Sequence, residues 1–473
     1  MSNNEYDFAV IGGGSAGYAA ARTAVDLGLS TVVIDGAEML GGLCILRGCM
    51  PSKTLIESAN RYRMMREAKE FGLRANGLEV KPAEIIARKR KLIGDFAGYR
   101  QAQLEDGRFD LARGHAKFTD AHTLHIDLPD GGSREVKAKT ILIATGSVIS
   151  SLPVPGLSDT PFLTSDEVLE KETLPKSIIV LGGGAIALEM AHYYAALDVD
   201  VTIIQRSSQL LRSADQDVAE VLQKSFEKRG VTVHTDTCLT QAGHDAQGKW
   251  VEYEHQGNTQ RVTAEELLVA TGRRPNTESL ALDMASVDTD RRGGIEVSAE
   301  QRTNQNHIFA AGDPASPLEV VHIAIAQGEN AAHNASLLVN KDTTTKCKEI
   351  DYRLKLFGIF TAPEIGMVGL TEREAQAVGK TTHAATYPFD DHGKSMVSGD
   401  EEGFVKLVAD DDGTILGGAV IGPHAVEIIH EITVAMHYHG TVQQLAQIPH
   451  YHPTLSEIWT YPAEEIAEKL GLL

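Results

Sequence analysis

One arrangement of apolar and polar positions occurs twice along the chain. The first copy opens with an apolar run at residues 8–11 and passes through GGGSAG. It continues with helix-spaced apolar residues over 18–27 and closes with a second apolar run at 30–34, followed by Asp35. The second copy has the same parts: 177–181, GGGAIA, 188–197, 200–204, then Gln205. Short apolar runs bounded by glycine predict buried strands, and the longer periodic runs predict helices. Strand, glycine turn, helix, strand is the dinucleotide-binding βαβ unit. A single glycine fingerprint is a weak signal, whereas two, each in its required context, predict two dinucleotide sites.

Other runs organise the rest. ILIATGS at 141–147 and LLVATGR at 267–273 echo each other as apolar strands ending in glycine turns, and a third strand at 308–311 ends in Gly312 and Asp313. Residues 51–72 and 82–106 carry apolar residues at helical spacing among many charges. Polar, proline-bearing stretches at 150–155 and 171–175 read as linkers. Beyond about residue 350 the pattern changes to strands at 403–409 and 415–421 and helices at 426–439 and 442–447. The expected fold is α/β with two Rossmann-like dinucleotide-binding domains and an α+β C-terminal domain. The boundaries expected are 1–150, 151–273, 274–348 and 349–473, the first and third together forming one domain. A chain of 473 residues accommodates that division.

The glycines have assigned work. Gly12 permits the tight turn, Gly14 lets the backbone approach a pyrophosphate, and Gly17 lets helix and strand pack closely. The helix start then offers N–H groups to phosphate, and Asp35 can accept ribose hydroxyls. In the second copy Gly182 and Gly184 stand in the first two positions, with Ala187 in the third. NAD-binding folds place an acid where this chain has Gln205, and nearby arginine accommodates a 2′-phosphate. With no acid there, and with Arg206 and Arg212 following, NADP(H) is favoured, NAD(H) being the alternative. The competing reading makes both arginines ordinary surface cations.

Composition narrows the class. The formal net charge of −21 argues against nucleic acid and anionic membrane as partners. No apolar run reaches the ~20 residues of a spanning helix, and no export leader is visible, so the cytoplasm is the expected location. Four cysteines are too few for a secreted disulfide scaffold. Cys238 and Cys347 are isolated and read as buried structural thiols. Cys44 and Cys49 lie five apart, which in such a chain means redox or metal chemistry. In a straight helix their Cα atoms would be ~8.7 Å apart, beyond the ~4.4–6.8 Å of a disulfide. Pairing therefore requires a bend, and Gly48 is where one is easiest. Zinc would want a second ligand pair, and none exists; no metal is expected.

GGLCILRGCMPSK at 41–53 and HPTLSE at 452–457, with both glycine turns, both ATG turns and AAGD at 310–313, resemble the class I pyridine nucleotide-disulfide oxidoreductases. Dihydrolipoamide dehydrogenase is the most similar branch, with glutathione reductase and mercuric reductase beside it. The resemblance covers nearly the whole chain. It implies bound FAD, a homodimer built by the C-terminal domain, and a small dithiol or disulfide substrate, either free or as a lipoyl group on a carrier protein. The FAD turns would use Gly42, Thr145, Gly146 and Gly312, with Asp313 on the ribityl chain; Gly272 closes the second ATG turn. Cys44 would be the interchange thiol and Cys49 the thiol facing the flavin. Lys53 would pair with Glu189 at the flavin edge. His452, oriented by Glu457, would be the acid/base supplied by the other subunit. Thiol–disulfide exchange needs a thiolate and a proton for the leaving thiol, and a histidine titrating near neutrality serves both needs. His450 reads as a surface or structural residue.

Three departures matter. Arg47 stands between the cysteines, where the family usually has an apolar residue. It lowers a thiol pKa, or meets an acidic substrate, or is simply solvated. Ala185 stands where glutathione reductases carry a gating tyrosine. The C-terminal residues include no cysteine pair, which disfavours mercuric reductase and the larger thioredoxin reductases. An NADPH-driven low-molecular-weight disulfide reductase is the first rival to a dihydrolipoamide dehydrogenase. A carrier-protein binding subunit with secondary flavin activity is the rival of another class.

Overall fold

The computed structural model describes residues 4–315 and 318–473. It divides into two compact units, each made of three stretches. The first holds the chain up to Ser52, Ile86–Ser151 and Gly272–Ile350; the second holds Lys53–Ile85, Leu152–Thr271 and Asp351–Leu473.

In the first unit the strand Glu5–Ile11 lies between Thr31–Asp35 and Ser133–Ile143, parallel to both. Asp110–Arg113 and Ile308–Ala310 extend the parallel sheet on its two sides. Ser133–Ile143 changes character along its length. Residues 133–139 alternate between exposed and buried where the strand pairs antiparallel with Thr123–Asp127, whereas 140–143 are all buried between parallel neighbours. One wet face and two covered faces produce these two patterns. The helix Ser15–Asp26 follows the first strand and packs on Val321–Val339 so closely that a Cβ on Gly328 would stand 2.2 Å from the Ala16 carbonyl oxygen. Alanines of both helices share a core with Phe8, Val10 and Phe309.

The second unit repeats the motif. Its parallel sheet runs Thr232–His234, Asp200–Ile204, Ser177–Leu181, Glu266–Val269. A three-stranded antiparallel meander over 237–264 covers one face, burying Ala242, Val251 and Tyr253 against Ile179, Leu181 and Ile204. Its C-terminal part is a five-stranded antiparallel sheet, Leu356–Ile359, Glu364–Gly369, Ile415–Gly422, Phe404–Ala409, His383–Pro388. The helix Ala425–His437 lies on it through Ile428, Ile429, Ile432 and Met436. Wholly buried Trp459 donates its indole N–H to the Ile428 carbonyl at 3.2 Å, so the largest buried ring keeps its one polar group satisfied. Among the described residues no helix is long and apolar enough to cross a membrane.

Candidate functional site

In the first unit the glycine turn follows Glu5–Ile11, and the helix begins at Ser15, just past Gly14. Gly12 has φ +105°, and a Cβ there would lie 2.4 Å from the Ala144 carbonyl oxygen. A Cβ on Gly17 would meet the Gly12 carbonyl oxygen at 1.8 Å, and one on Gly42 would meet the Gly14 Cα at 2.6 Å. The first turn, the helix and the start of the cysteine segment thus converge, leaving no room for side chains. Asp35 is buried and accepts N–H bonds from Gly13 at 2.7 Å and Ala37 at 2.8 Å. Its carboxylate ties the turn to the second strand while each oxygen retains acceptor capacity.

The ATG and AAGD turns lie in the same unit. Gly146 and Gly312 both have positive φ. The Thr145 hydroxyl oxygen is buried without a hydrogen-bond partner. Such an atom is costly unless something binds it, and a hydroxyl-rich cofactor fits it. Asp313 accepts a 2.5 Å bond from the Ser147 hydroxyl, which in turn accepts from Arg273 Nε at 2.8 Å. The Gly312 N–H donates to Gln327 Oε1 at 2.8 Å. This Arg273–Ser147–Asp313 relay had a signal in the sequence, because Ser147 and Arg273 end the two echoing ATG motifs. Gln327 had none; it is a buried residue inside the unforeseen helix Val321–Val339.

The cysteine segment is two helices. Cys44 lies in Gly42–Leu46, the chain breaks at Arg47 and Gly48, and Cys49 opens Cys49–Glu67. A Cβ on Gly48 would stand 3.1 Å from the Cys44 Cα, so the bend occurs at the glycine and folds it against Cys44. Both thiols are partly buried, and Arg47 is on the exposed side of the turn. Arg100, stacked over the Tyr18 ring at 4.0 Å, lies close enough to Cys44 for their charges to interact.

In the second unit Lys53 Nζ lies 2.9 and 2.8 Å from the two oxygens of Glu189, which also accepts the Phe360 N–H at 3.2 Å. Glu189 is 5% exposed and Lys53 32%. One helical turn after Glu189, fully buried His192 bonds Asn60 Oδ1 through Nε2 at 2.8 Å and faces Arg229 through Nδ1 at 3.1 Å. A guanidinium cannot accept, so Nδ1 must, and the ring is the neutral Nε2–H tautomer. Burial, then the positive charges of Arg229 and Arg63, hold its pKa well below the usual range.

The second glycine turn differs at its third position. A Cβ on Gly182 would clash with the Ala270 carbonyl oxygen at 2.4 Å, yet Ala187 is accommodated and fully buried, and the space around Gly184 is open. Gly272, in the first unit, has φ +131°. Gln205 follows the strand Asp200–Ile204, and its carbonyl accepts from Thr237 Oγ1 at 3.0 Å. Arg206 and Arg212 are both exposed on the segment beyond.

His452 Nδ1 lies 2.9 Å from Glu457 Oε2 and 3.1 Å from Oε1. The imidazole is 78% exposed while its carboxylate partner is 12% exposed, a presented base on a sheltered orienter. Wholly buried His392 points Nε2 at Glu457 Oε1 from 3.5 Å, with Nδ1 2.9 Å from Ser395 Oγ. Burial depresses its pKa, against the pull of Glu457. Nothing in the local sequence marks His392. His450 binds Glu431 at 2.6 Å and the Ile448 carbonyl at 2.8 Å, a structural role. The cysteines lie in the first unit, His452 and Glu457 in the second.

One expectation is corrected. Cys238 is exposed, not buried. It sits on Thr237–Asp245, where Thr237 points inward and its neighbour points out, as strand alternation requires. Cys347 is partly buried, with Arg302 donating to its sulfur at 3.6 Å.

Comparison with known proteins accords with this geometry. Residues 6–328 match the family model described as pyridine nucleotide-disulphide oxidoreductase, and 357–463 match its dimerisation domain. The chain is 34% identical over 467 residues to a dihydrolipoyl dehydrogenase of Bacillus subtilis, covering 96% of each. It is 36% identical over 457 residues to that of Mycobacterium tuberculosis, again covering 96% of each. Among solved structures, LpdA from Mycobacterium tuberculosis superposes with TM-score 0.86 at 29% identity, covering 97% of this chain and 99% of that one. The flavoprotein disulfide reductase RclA from Escherichia coli, solved as a Cu(II) complex, gives 0.83 at 25% identity, covering 98% and 100%.

Proposed function

From the premise that this chain belongs to the pyridine nucleotide-disulphide oxidoreductase family, we propose that it passes electrons between NADP(H) and a small dithiol or disulfide through Cys44 and Cys49, as a dihydrolipoamide dehydrogenase does. FAD and a pyridine nucleotide are its cofactors. We assign FAD to 1–150 and 274–348, the nicotinamide nucleotide to 151–273, and dimerisation to 349–473.

The buried Thr145 oxygen, the side-chain-free meeting of Gly12, Gly14 and Gly42, and the Ser147-held Asp313 fit FAD. The flavin, when bound, carries two electrons between nicotinamide and thiol. The chain's own residues do the rest. Gly12, Gly14 and Gly17 would seat the pyrophosphate, Asp35 would accept the ribose hydroxyls, and Asp313 would orient the ribityl chain. A substrate thiolate attacks Cys44 sulfur; the Cys44–Cys49 bond breaks and Cys49 leaves as a thiolate. The second substrate thiol displaces Cys44 as the substrate disulfide forms. His452 takes a proton from the attacking thiol and returns one to Cys44, while Glu457 fixes its tautomer. In sum a dithiol loses two electrons and two protons, NADP+ gains two electrons and one proton, and one proton is released.

The observation that carries this reading is the bidentate Lys53–Glu189 pair, one helical turn beyond Cys49 on the helix that Gly48 sets off. For NADP(H), the support is Gln205 in the acid's place with exposed Arg206 and Arg212 after it. The rival, an NADPH-driven reductase of a glutathione-type disulfide, shares every group named. Lipoamide, free or as a lipoyl group on a carrier protein, is the substrate we favour. Anaerobic stopped-flow reduction with NADH and NADPH, then a panel of lipoamide and low-molecular-weight disulfides, tests both choices. Faster reduction by NADPH and turnover of lipoamide are expected. Preference for NADH overturns the nucleotide assignment, and turnover of glutathione alone overturns the substrate assignment.

A further inference from the structure

The segment after Gln205 is anchored from two sides. On one, the Leu211 N–H donates to the Gly183 carbonyl at 2.8 Å, and the Gln209 amide donates to the Ala214 carbonyl at 3.2 Å. The first bond ties the segment to the second glycine turn, and the second braces the segment internally. On the other side come residues from the part that matches the dimerisation domain. Arg373 donates to the carbonyl of Arg212 at 3.0 Å. The Glu372 N–H donates to Asp215 Oδ2 at 3.2 Å. Lys406, in the strand Phe404–Ala409 and only 7% exposed, places Nζ 3.2 Å from Asp215, 2.9 Å from Asp217 and 3.0 Å from Glu372. Burial alone would depress this ammonium, but its hydrogen bonds to Asp217 and Glu372 outweigh that and raise it above the ordinary lysine range. It therefore stays charged at any working pH, and the carboxylates stay fixed on it.

These contacts bear on one residue above all. Arg212 is exposed, so little packing holds its side chain, and the placement of its guanidinium depends on the main chain that launches it. Arg373 bonds that main chain at the Arg212 carbonyl itself, and three residues later the Asp215 carboxylate is held by Lys406 and the Glu372 N–H. A charge-assisted clamp of this kind orders the loop before a ligand arrives, and ordering done in advance is affinity retained.

We infer that Arg373 and Lys406 are specificity-determining positioning residues for the 2′-phosphate of the nucleotide: the C-terminal domain sets the geometry of Arg212 and so helps to choose NADP(H) over NAD(H). The inference rests on the reading of Arg206 and Arg212 as 2′-phosphate ligands.

The test uses the FAD-loaded enzyme and two probes, adenosine 2′,5′-bisphosphate and AMP, with affinities measured by calorimetry. Arg373 is exposed, so Arg373→Ala leaves the fold intact. It should weaken the bisphosphate about tenfold and AMP by less than about twofold, the size expected for releasing a short main-chain segment. Arg373→Lys, which keeps a donor, should restore most of the loss, and Lys406→Met, assayed where it remains folded, should show the same selectivity. In an Arg212→Ala background, Arg373→Ala should add nothing, because the effect runs through Arg212. Equal weakening of both probes overturns the inference, as does a full loss persisting in the Arg212→Ala background. Wild-type enzyme that binds both probes equally overturns the 2′-phosphate reading and the inference with it. Wild-type preference for the bisphosphate, unchanged in Arg373→Ala, overturns the inference alone.

Discussion

Replacing Lys53 by Met removes one partner of a sheltered ion pair and leaves the other in place. Glu189 would remain 5% exposed, still accepting the Phe360 N–H at 3.2 Å but without the ammonium that neutralises it. Breaking a fully buried pair in this way costs about 3–5 kcal/mol. Lys53 is one-third exposed, so solvent screens part of the interaction, and a loss of about 2 kcal/mol is the reasonable expectation. Lys53→Met combined with Glu189→Leu removes both charges and should cost less than the sum of the two single changes by at least about 1 kcal/mol, because neither charge is then stranded. Urea unfolding of the wild type, both single variants and the double variant, each at the same saturating FAD, yields that coupling energy. Single losses that add to within about 0.4 kcal/mol would refute the pair as an energetic unit. The two side chains would then be near each other without coupling, and the pair's proposed place beside the flavin would lose its structural support.

Arg206→Ala with Arg212→Ala should reduce NADPH use far more than NADH use in steady-state kinetics, since only NADPH offers the 2′-phosphate to charge-assisted bonds; equal losses would reject the assignment. Cys44→Ser and His452→Ala, each inactive, should recover about a quarter of the sites when unfolded and refolded together in equal amounts, by random pairing in a two-fold dimer; a mixture shown to contain mixed dimers yet still inactive would reject a site shared between subunits. Folded His192 is held below its usual pKa, so below about pH 6.5 the unfolded chain binds a proton that the folded chain does not, and stability falls by up to ~1.4 kcal/mol per pH unit from this group. Partly buried His234 and His307 and buried His392 act with the same sign. His192→Gln should therefore flatten the decline in melting temperature between neutral and mildly acidic pH, and an unchanged slope would contradict the assignment.

Much of the scaffold was legible because its signals are local. Each βαβ unit needs a tight turn and a close helix, and glycine at 12, 14 and 17 records that need in the sequence. The bend between Cys44 and Cys49 followed from helix geometry and fell at Gly48. The Lys53–Glu189 and His452–Glu457 contacts could not come from spacing alone; the motifs around them supplied the pairing. What escaped lacks such marks. The helix Val321–Val339 is alanine-rich and buried on most sides, so it carries no clear apolar stripe. The meander over 237–264 alternates weakly and includes a bulge near Gln241, which blurs a period of two. Cys238 was misread because a lone cysteine is usually buried, whereas its direction depended on strand register. Gln327 and His392 act through partners far off in sequence, and single positions give no warning of that.

The central claim is that electrons pass through the Cys44–Cys49 pair, with Cys49 as the thiolate beside the flavin. Anaerobic titration of the FAD-loaded enzyme with NADPH, followed by absorbance, tests it most directly. Wild-type enzyme should develop a long-wavelength thiolate–flavin charge-transfer band after taking up two electrons. Cys49→Ser should keep its FAD, show no such band, and fail to turn over a dithiol with nicotinamide. A band that survives in Cys49→Ser, or disulfide turnover that survives loss of either cysteine, would contradict the account.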